Sequence, residues 1–391
     1  MVIISMNSSS LTPMNPNPPM NLNQMLGLRV REARKRLGMS QLELTKLLEL
    51  EHVQTVSQIE NGERQVKAWE LARLSSVLHT SINDLLKEDA LAAPIVLWRE
   101  QPENNYQKIE TEFLHLSHNY HFVEQLSGIR AKSQLRPAEI SGEEFGYREA
   151  AELAGEVGKS MNLGRVPATS LTKVLEEDYG IKIFYREELS GSAASAVGDF
   201  GQAILMNSSE SPWRRNYNFA HELFHLLTWN VMPPERLRRE KELRDRFEKL
   251  ANAFASCLLL PAECVLNAFA ERLKEQKVSY ADLIEIAREF DVSTEALLWR
   301  LVGLRQIEAE TVRKVLADPM FRDIDRSTMP DKWWKPKDLS DRYVRLCFLC
   351  FQKGQLSRAK LAELIGVSLA ELRGKVKALE QQPGEAALSV A

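Results

Sequence analysis

Three residues near the middle of the chain could bind a metal ion and act on water. Residues 216–230 contain His221-Glu222-x-x-His225. On a helix, side chains four positions apart lie one above the other, so both imidazoles can reach one ion, and Glu222 falls within the same arc of about 100°. Neutral imidazoles suit zinc, and the neighbouring carboxylate can accept a proton from a water that the metal activates. The pattern predicts a hydrolytic zinc site with Glu222 as general base.

The element that carries these residues is predicted to be an amphipathic helix. Its apolar residues follow helical spacing on the side opposite the histidines: Phe219, Leu223, Leu226 and Leu227. The alternative is a structural helix that happens to carry two ordinary histidines. With seven histidines in 391 residues, an accidental match is expected on the order of 0.01 times, so we favour the metal site.

A third protein ligand is expected from the helix predicted at residues 235–260. Its apolar stripe consists of Phe247, Leu250, Ala251, Phe254 and Leu258. Glu248 lies one position off this stripe, so it can face the cleft and is the best candidate for the ligand. Periodicity alone does not exclude three competitors on the same helix: Glu240, Glu242 and Asp245.

Length and composition set broad limits. A chain of 391 residues with 44% hydrophobic and 27% charged residues is expected to form several globular domains. The net charge of -3 means that any affinity for nucleic acid must be local. Four cysteines do not form a disulfide framework and suit a reducing cytoplasm. No long apolar window or signal-peptide pattern is present, so we expect a cytoplasmic protein without a membrane segment.

The N-terminal part is predicted to contain five short helices. Gly38 and Gly62 end the first and third helices, and Ser40 caps the second. The predicted segments are residues 28–37, 41–48, 54–61, 69–78 and 82–86. Four motifs follow one another along them: Ser40-Gln41-x-x-Leu44, Val56-Ser57-Gln58-Ile59-Glu60-Asn61-Gly62, Leu71-Ala72 and Asp84-Leu85-Leu86. This set resembles the helix-turn-helix domain of Cro/repressor-type (XRE family) regulators.

Side-chain chemistry agrees with that resemblance. Short polar residues on the third helix can hydrogen-bond base edges in the major groove of a double-stranded DNA operator: Gln54, Thr55, Ser57, Gln58 and Asn61. Basic residues of the first helix are expected to meet phosphates: Arg29, Arg31, Arg34, Lys35 and Arg36. The alternative is a helical protein-interaction module. Repressor-type domains usually bind two-fold sites as dimers, so a homodimer is expected.

A small sheet is predicted immediately before the His221 helix. Residues 181–185, 193–197 and 202–206 have the composition and alternation of strands. This order of sheet and HExxH helix is that of a minimal zincin. We expect the strand at 202–206 to be able to pair with an extended substrate.

Three further motifs extend the argument: Phe219-x-His221-Glu222-Leu223-x-His225-Leu226-Leu227, Glu248-x-x-Ala251-Asn252-x-Phe254-Ala255 with Leu258-Leu259-x-Pro261, and Val292-Ser293-x-x-Ala296-Leu297-x-x-Arg300-Leu301. Together they resemble the ImmA/IrrE metallopeptidase family over about residues 143–304. The resemblance implies zinc held by His221, His225 and Glu248, with Glu222 as general base, and activity on helix-turn-helix repressors. The family usually has Gly where this chain has Phe224, so we expect that ring to narrow the cleft or to accompany a loss of peptidase activity.

We therefore expect a multidomain protein. It combines an all-α helix-turn-helix domain, an α+β zincin-like domain with a small sheet and an HExxH helix, and a helical C-terminal region. The predicted boundaries are a disordered tail (1–23), the DNA-binding domain (24–90), a helical connector (91–142), the metallopeptidase domain (143–304) and the C-terminal region (305–391).

The predicted function is a DNA-binding transcriptional regulator with a fused zinc-dependent peptidase. Its hydrolase activity would cleave or relieve a helix-turn-helix repressor, either its own domain or a partner protein. The alternative is a non-proteolytic, antitoxin-like repressor that uses the zincin fold to sense a ligand or partner.

Overall fold

The computed structural model describes residues 21–80, 82–86, 94–139, 145–187, 189, 191–275, 277–329 and 334–373. The chain divides into two compact units, residues 1–92 and 93–391. The first unit is helical, and the second combines a four-stranded sheet with many helices. The predicted fold class is confirmed. Of the tail predicted at 1–23, residues 1–20 lie outside the described part, and the first helix already begins at Leu22.

The described residues of the first unit form five helices, as predicted: α1 (Leu22–Arg36), α2 (Gln41–Leu47), α3 (Val53–Glu60), α4 (Ala68–Val77) and α5 (Ile82–Leu86). Capping boxes fix the starts of the first two helices, since Asn21 bonds reciprocally with Gln24 and Ser40 with Glu43. Leucine, valine and isoleucine side chains from the helices form a single buried core.

Gly27 allows α1 to approach the backbone at the end of α3. A Cβ atom at this position would lie 2.2 Å from the carbonyl oxygen of Ile59 and 2.8 Å from that of Glu60. Both distances are far shorter than any van der Waals contact, and carbonyl groups at a helix end cannot move aside alone. Glycine is therefore what lets these two helices pack as they do.

The sheet of the second unit has strand order β1-β3-β4-β2. Its strands are β1 (Val96–Trp98), β2 (Lys182–Arg186), β3 (Ala193–Gly198) and β4 (Gly201–Asn207). β1 pairs antiparallel with β3, β3 antiparallel with β4, and β2 parallel with β4. The three predicted strands are confirmed, whereas β1 lies in a stretch that we expected to connect domains.

The position of β4 corrects one expectation. β4 has β3 on one side and β2 on the other, so both of its edges are already paired. The expectation that residues 202–206 could pair with a substrate is wrong. β2 is partly covered as well, because Tyr185 donates its N–H to the carbonyl of Asp338. β1 is the edge strand at the opposite side of the sheet.

Helices cover both faces of this sheet. They are α6 (Tyr106–Ser127), α7 (Tyr147–Ser160), α8 (Pro167–Lys173, continued by a π-helical turn), α9 (Pro212–Thr228), α10 (Pro234–Arg239), α11 (Lys241–Leu259), α12 (Ala262–Arg272), α13 (Tyr280–Glu289), α14 (Thr294–Gly303), α15 (Ala309–Ala317), α16 (Pro319–Ser327), α17 (Asp341–Gln352) and α18 (Arg358–Leu364). Residues of α7 to α16 share one hydrophobic core with one sheet face. Residues of α6, α17 and α18 share a second core with the other face.

The stretch predicted as a connector thus supplies β1 and α6 to these two cores, and α15 to α18 of the predicted C-terminal region also pack there. The domain boundaries at 142 and 304 stay predictions.

Within the described residues, no single helix has the length and composition of a membrane span, although one pair bent by 61°, α11 with α12, meets both criteria when taken together.

Candidate metal centre and DNA-reading surface

Two adjacent helices position the candidate metal ligands. α9 begins with Pro212 directly after Ser211, and it packs against β3, β4 and α11. His221, Glu222 and His225 lie on α9, and their side chains are almost completely buried. Glu248 lies on α11 and keeps 26% of its side chain exposed. The site is therefore enclosed by the fold and reaches solvent beside Glu248.

The ligand atoms of these residues converge. One atom each from His221, His225 and Glu248 lies within 4.8 Å of the others, a spacing that a single metal ion could satisfy. The Nε2 atoms of the histidines are 3.1 Å apart, and the Glu248 carboxylate lies 3.1 Å from Nε2 of His221 and 3.4 Å from that of His225. The competing residues of α11 are exposed and do not join this group: Glu240, Glu242 and Asp245.

Asn252 fixes the orientation of His221. Its Oδ1 lies 3.0 Å from Nδ1 of His221, so the amide oxygen accepts a hydrogen bond from the Nδ1–H group. The lone pair of Nε2 is then free to bind a metal. The backbone carbonyl of Asn252 accepts a hydrogen bond of 2.8 Å from the Tyr217 hydroxyl. This partner was missed as a functional residue, although its position one turn after Glu248 on the same helix was a usable signal.

The protonation of the three groups agrees with a metal site. Burial lowers the pKa of His221 to about 4, which favours the neutral imidazole. For His225 burial also opposes the charge, but the hydrogen bond and charge of Glu248 outweigh it and raise the pKa. The pKa of Glu248 is held well below its usual range, because bonds to both histidines outweigh its burial. A divalent cation bound there would displace any proton that these groups hold.

Within the described part of the chain, the buried carboxyl of Glu222 has no hydrogen-bond partner. Both carboxyl oxygens are enclosed and unbonded, and so is the hydroxyl of Ser195 on β3. Burial raises the pKa of Glu222 to about 7, and the nearby Ser195 hydroxyl partly counters this shift although no bond of normal geometry joins them. An unsatisfied buried polar group costs about 1–3 kcal/mol, so its presence beside a metal-binding cluster indicates a functional role.

Arg99 contributes a positive charge to the same side of the sheet. Its backbone N–H donates to the carbonyl of Ala193 at 3.1 Å, which continues the β1–β3 pairing by one residue. Its guanidinium donates to Oδ1 of Asn218 and lies 5.6 Å from the centre of the Tyr217 ring. The positive charge of Arg99 acts to lower the pKa of His221, of Glu222 and of His225. The net pKa of Glu222 is nevertheless raised by burial, and that of His225 is raised by Glu248. Sequence reasoning missed Arg99 because β1 was not recognised.

The ring of Phe224 lies in the hydrophobic core. It is fully buried and packs against Phe145, Phe247 and Phe254 at centroid distances of 5.6, 6.1 and 5.5 Å. On α9 Phe224 lies about 60° from His221 around the helix axis, and its ring is also 5.8 Å from that of His225. The ring is part of the core and stands beside a candidate ligand, so its effect on the cleft stays a prediction.

The predicted base-reading residues lie together on α3. Gln54, Gln58 and Asn61 are exposed, and Thr55 and Ser57 are half-buried. Four of them fall within an arc of about 100° around the helix, and Thr55 lies about 60° beyond that arc. Val56, Ile59 and Glu60 occupy the opposite side and are buried. The structure thus presents the predicted polar side chains on one accessible surface.

The basic residues of α1 do not all face solvent. Arg34 is buried and forms a two-bond ion pair with Glu60, at 2.6 Å from Nε and 3.0 Å from Nη2. Arg31 is half-exposed and donates to Asn61. The expectation that Arg34 meets phosphates is wrong, because its guanidinium is committed to joining α1 with α3. The pair was not predictable from charge pattern alone.

Comparisons with known proteins agree with both sites. Residues 30–85 match the helix-turn-helix family model, and residues 176–302 match the model of a peptidase family described as the IrrE N-terminal-like domain. No curated protein matches the chain significantly. A Mycobacterium tuberculosis transcriptional regulator aligns at 18% identity and a TM-score of 0.30, over 47% of this chain and 51% of its own. Bacillus thuringiensis PlcR in complex with a peptide and DNA aligns at 15% identity and a TM-score of 0.16, over 77% and 95%.

The chain therefore joins an XRE-type helix-turn-helix domain to an IrrE-like domain of a peptidase family. This domain composition is that of a transcriptional regulator with a peptidase-family domain.

Proposed function

We propose that the protein is a DNA-binding regulator whose second unit is a zinc-dependent peptidase acting on a helix-turn-helix repressor, its own or a partner's. The observation that carries the proposal is the convergence of His221, His225 and Glu248 beside the unpaired carboxyl of Glu222. We place the protein in the cytoplasm, bound to operator DNA as a homodimer.

The donor set suits zinc. Two imidazoles and one carboxylate are borderline ligands of the kind that catalytic zinc sites use, and three protein ligands leave one position open. His221 and His225 would bind through Nε2, and Glu248 would bind through its carboxylate. Zinc bound there would supply Lewis-acid chemistry to a peptide carbonyl.

The remaining residues have separate roles. Glu222 accepts the proton of the attacking water and delivers it to the leaving nitrogen, for which a pKa raised to about 7 is well suited. Asn252 holds His221 in the tautomer that exposes Nε2. β1 is the edge strand beside β3, and its positions other than the Val96 carbonyl, which Arg238 bonds at 2.6 Å, would take the substrate-pairing role that β4 cannot perform.

In the first unit, we propose that α3 reads bases through Gln54, Thr55, Ser57, Gln58 and Asn61. Arg31 is the predicted phosphate contact, and its bond to Asn61 places it next to the reading surface. Gln58→Ala should cost about 1–3 kcal/mol of binding free energy and relax the preference at one base position. Arg31→Ala should weaken binding to all DNA sequences and make the affinity depend less steeply on salt concentration. Fluorescence anisotropy with promoter fragments over a range of salt measures both, with exposed Gln306→Ala as control.

Metal analysis combined with a proteolysis assay tests the enzymatic part. Zinc content should fall sharply in His221→Ala and Glu248→Ala, and it should survive in Glu222→Gln, which should be inactive. Glu242→Ala is the matched control, since Glu242 lies exposed on the same helix. If Glu248→Ala binds zinc as the unchanged protein does, the third ligand is assigned wrongly.

One observation favours the non-proteolytic alternative. His221 and Glu222 are fully buried and His225 is 2% exposed, so the opening to solvent beside Glu248 is limited. A regulator that senses a ligand or partner through this fold needs less access than an enzyme that binds an extended polypeptide. Zinc binding without hydrolysis of any candidate repressor, together with unchanged gene regulation in Glu222→Gln cells, would support sensing. Cleavage that appears only under an inducing condition would support a regulated peptidase.

A further inference from the structure

Arg99 is held at the end of the edge strand β1, close to the candidate metal centre. Its anchors are the side chains of Asn218 and Tyr217, which lie on α9 one turn before His221. Asn218 is fully buried and also donates to Glu210. The guanidinium is therefore fixed in position, and the residue as a whole is half-buried.

Within the described part of the chain no carboxylate forms a direct ion pair with Arg99, although Asn218 links it to Glu210 and the two charges interact. The nearby Glu210 accepts a bond of 3.1 Å from Arg214, and Glu100 accepts one of 2.9 Å from the Ser192 hydroxyl. A guanidinium has five N–H donors in a planar fork that matches a carboxylate, and the bond to Asn218 uses part of that capacity. The remaining donors are available to a ligand.

We propose that Arg99 is a specificity residue that binds an acidic side chain of the substrate; the inference rests on the proposed peptidase function. Asn218 precedes His221 by three helical positions, which is about 4.5 Å along the axis. An extended chain advances about 3.3 Å per residue. The acidic residue therefore lies one or two positions from the peptide bond that faces the metal ligands.

Charge at the site agrees with this preference. A divalent cation bound by Glu248 and two neutral imidazoles would keep one net positive charge, and Arg99 adds a second, so an ionised Glu222 alone does not cancel the positive charge of the cleft. An acidic group is drawn to such a cleft and a basic group is repelled. The substrate class is thus a polypeptide segment with Asp or Glu beside the cleaved bond.

A binding assay tests this without requiring cleavage. Zinc-loaded, full-length Glu222→Gln protein is immobilised and exposed to a mixture of random-sequence octapeptides, and the retained peptides are read by mass spectrometry. We expect Asp and Glu to be favoured at one position about tenfold over Asn and Gln, as one charge-assisted pair provides. Arg99→Gln should abolish the preference, Arg99→Glu should invert it toward Lys and Arg, and Arg99→Lys should retain a weaker form.

Controls separate the possible failures. Arg148→Gln, which alters an exposed arginine paired with Glu152, should keep the acidic preference, and zinc content with thermal melting checks that each variant is folded. Peptides retained without an acidic preference, or with one that persists in Arg99→Gln, overturn the role of Arg99 alone. Retention no better than in the His221→Ala form overturns both this role and the proposed peptidase site.

Discussion

Replacing Glu60 by glutamine should destabilise the first unit strongly although the shape of the side chain is kept. The Glu60 carboxylate is completely buried and accepts bonds from Arg34 at 2.6 and 3.0 Å and from Gln41 at 2.9 Å. Removing one partner of a buried ion pair costs about 3–5 kcal/mol, because the other charge stays buried and unpaired.

The expected loss here is smaller than that full value. Glutamine keeps one acceptor oxygen, and Arg34 also donates to the carbonyl of Met39 at 2.6 Å. We therefore expect Glu60→Gln to lower the free energy of unfolding by about 2–3 kcal/mol, a large part of the stability of a small domain.

Hydrogen exchange in the intact protein measures this loss within α1 and α3. Amides there should exchange about 30- to 140-fold faster, since each 1.4 kcal/mol is a factor of ten. Glu32→Gln is the matched control, because its ion pair with Arg36 is 3.7 Å long and half exposed. Unchanged exchange in α1 and α3 of Glu60→Gln would refute the assigned role of the pair.

The same pair predicts a pH dependence. Burial alone would raise the pKa of Glu60, but the bonds from Arg34 and Gln41 hold it below its usual value. The stabilisation is therefore fully present above the ordinary pKa of about 4.3 and is lost as the pH falls through the lower folded value. Protection of α1 and α3 should drop on acidification below about pH 4, and Glu60→Gln should reduce this drop.

The remaining predictions concern packing and the metal site. Asn252→Ala should weaken zinc affinity about 10- to 100-fold in a competitive chelator titration; unchanged affinity would remove Asn252 from the site. Gly27→Ala should destabilise the first unit by about 1–3 kcal/mol, whereas Gly155→Ala, where no atom lies within 4 Å of the added Cβ, should be neutral or slightly stabilising in thermal unfolding. Phe224→Ala should cost about 3–5 kcal/mol; a gain of peptidase activity at unchanged stability would contradict its place in the core.

Local periodicity was sufficient to predict the helix face that carries the two candidate histidine ligands. His221 and His225 are one helical turn apart, and the position of Glu248 relative to its apolar stripe favoured it as the third candidate without excluding its competitors. The same reasoning placed the polar residues of α3 on one side. These predictions required no knowledge of distant contacts.

Long-range pairing could not be predicted in this way. The ion pair of Arg34 with Glu60 joins residues from separate helices, and a solvent-facing arginine has the same local pattern. β1 is three residues long and is followed by a proline-containing stretch, so its alternation was too short to detect. Because β1 was not predicted, Arg99 at its end was not recognised as a residue near the candidate metal centre. The packing of Phe224 against three other phenylalanines was also not predicted, because those rings come from distant parts of the chain.

The origin of β1 limits how this protein can be divided or recombined. Residues 96–98 form a sheet edge that lies outside the span matching the IrrE-like family, residues 176–302. A fragment or gene fusion that begins at that family boundary would expose the edge of β3, which then becomes available for pairing between molecules and favours aggregation. An exchange of the N-terminal reading domain between related regulators should therefore join upstream of residue 94. The IrrE-like fold and the preceding segment form one structural unit, although the family boundary separates them.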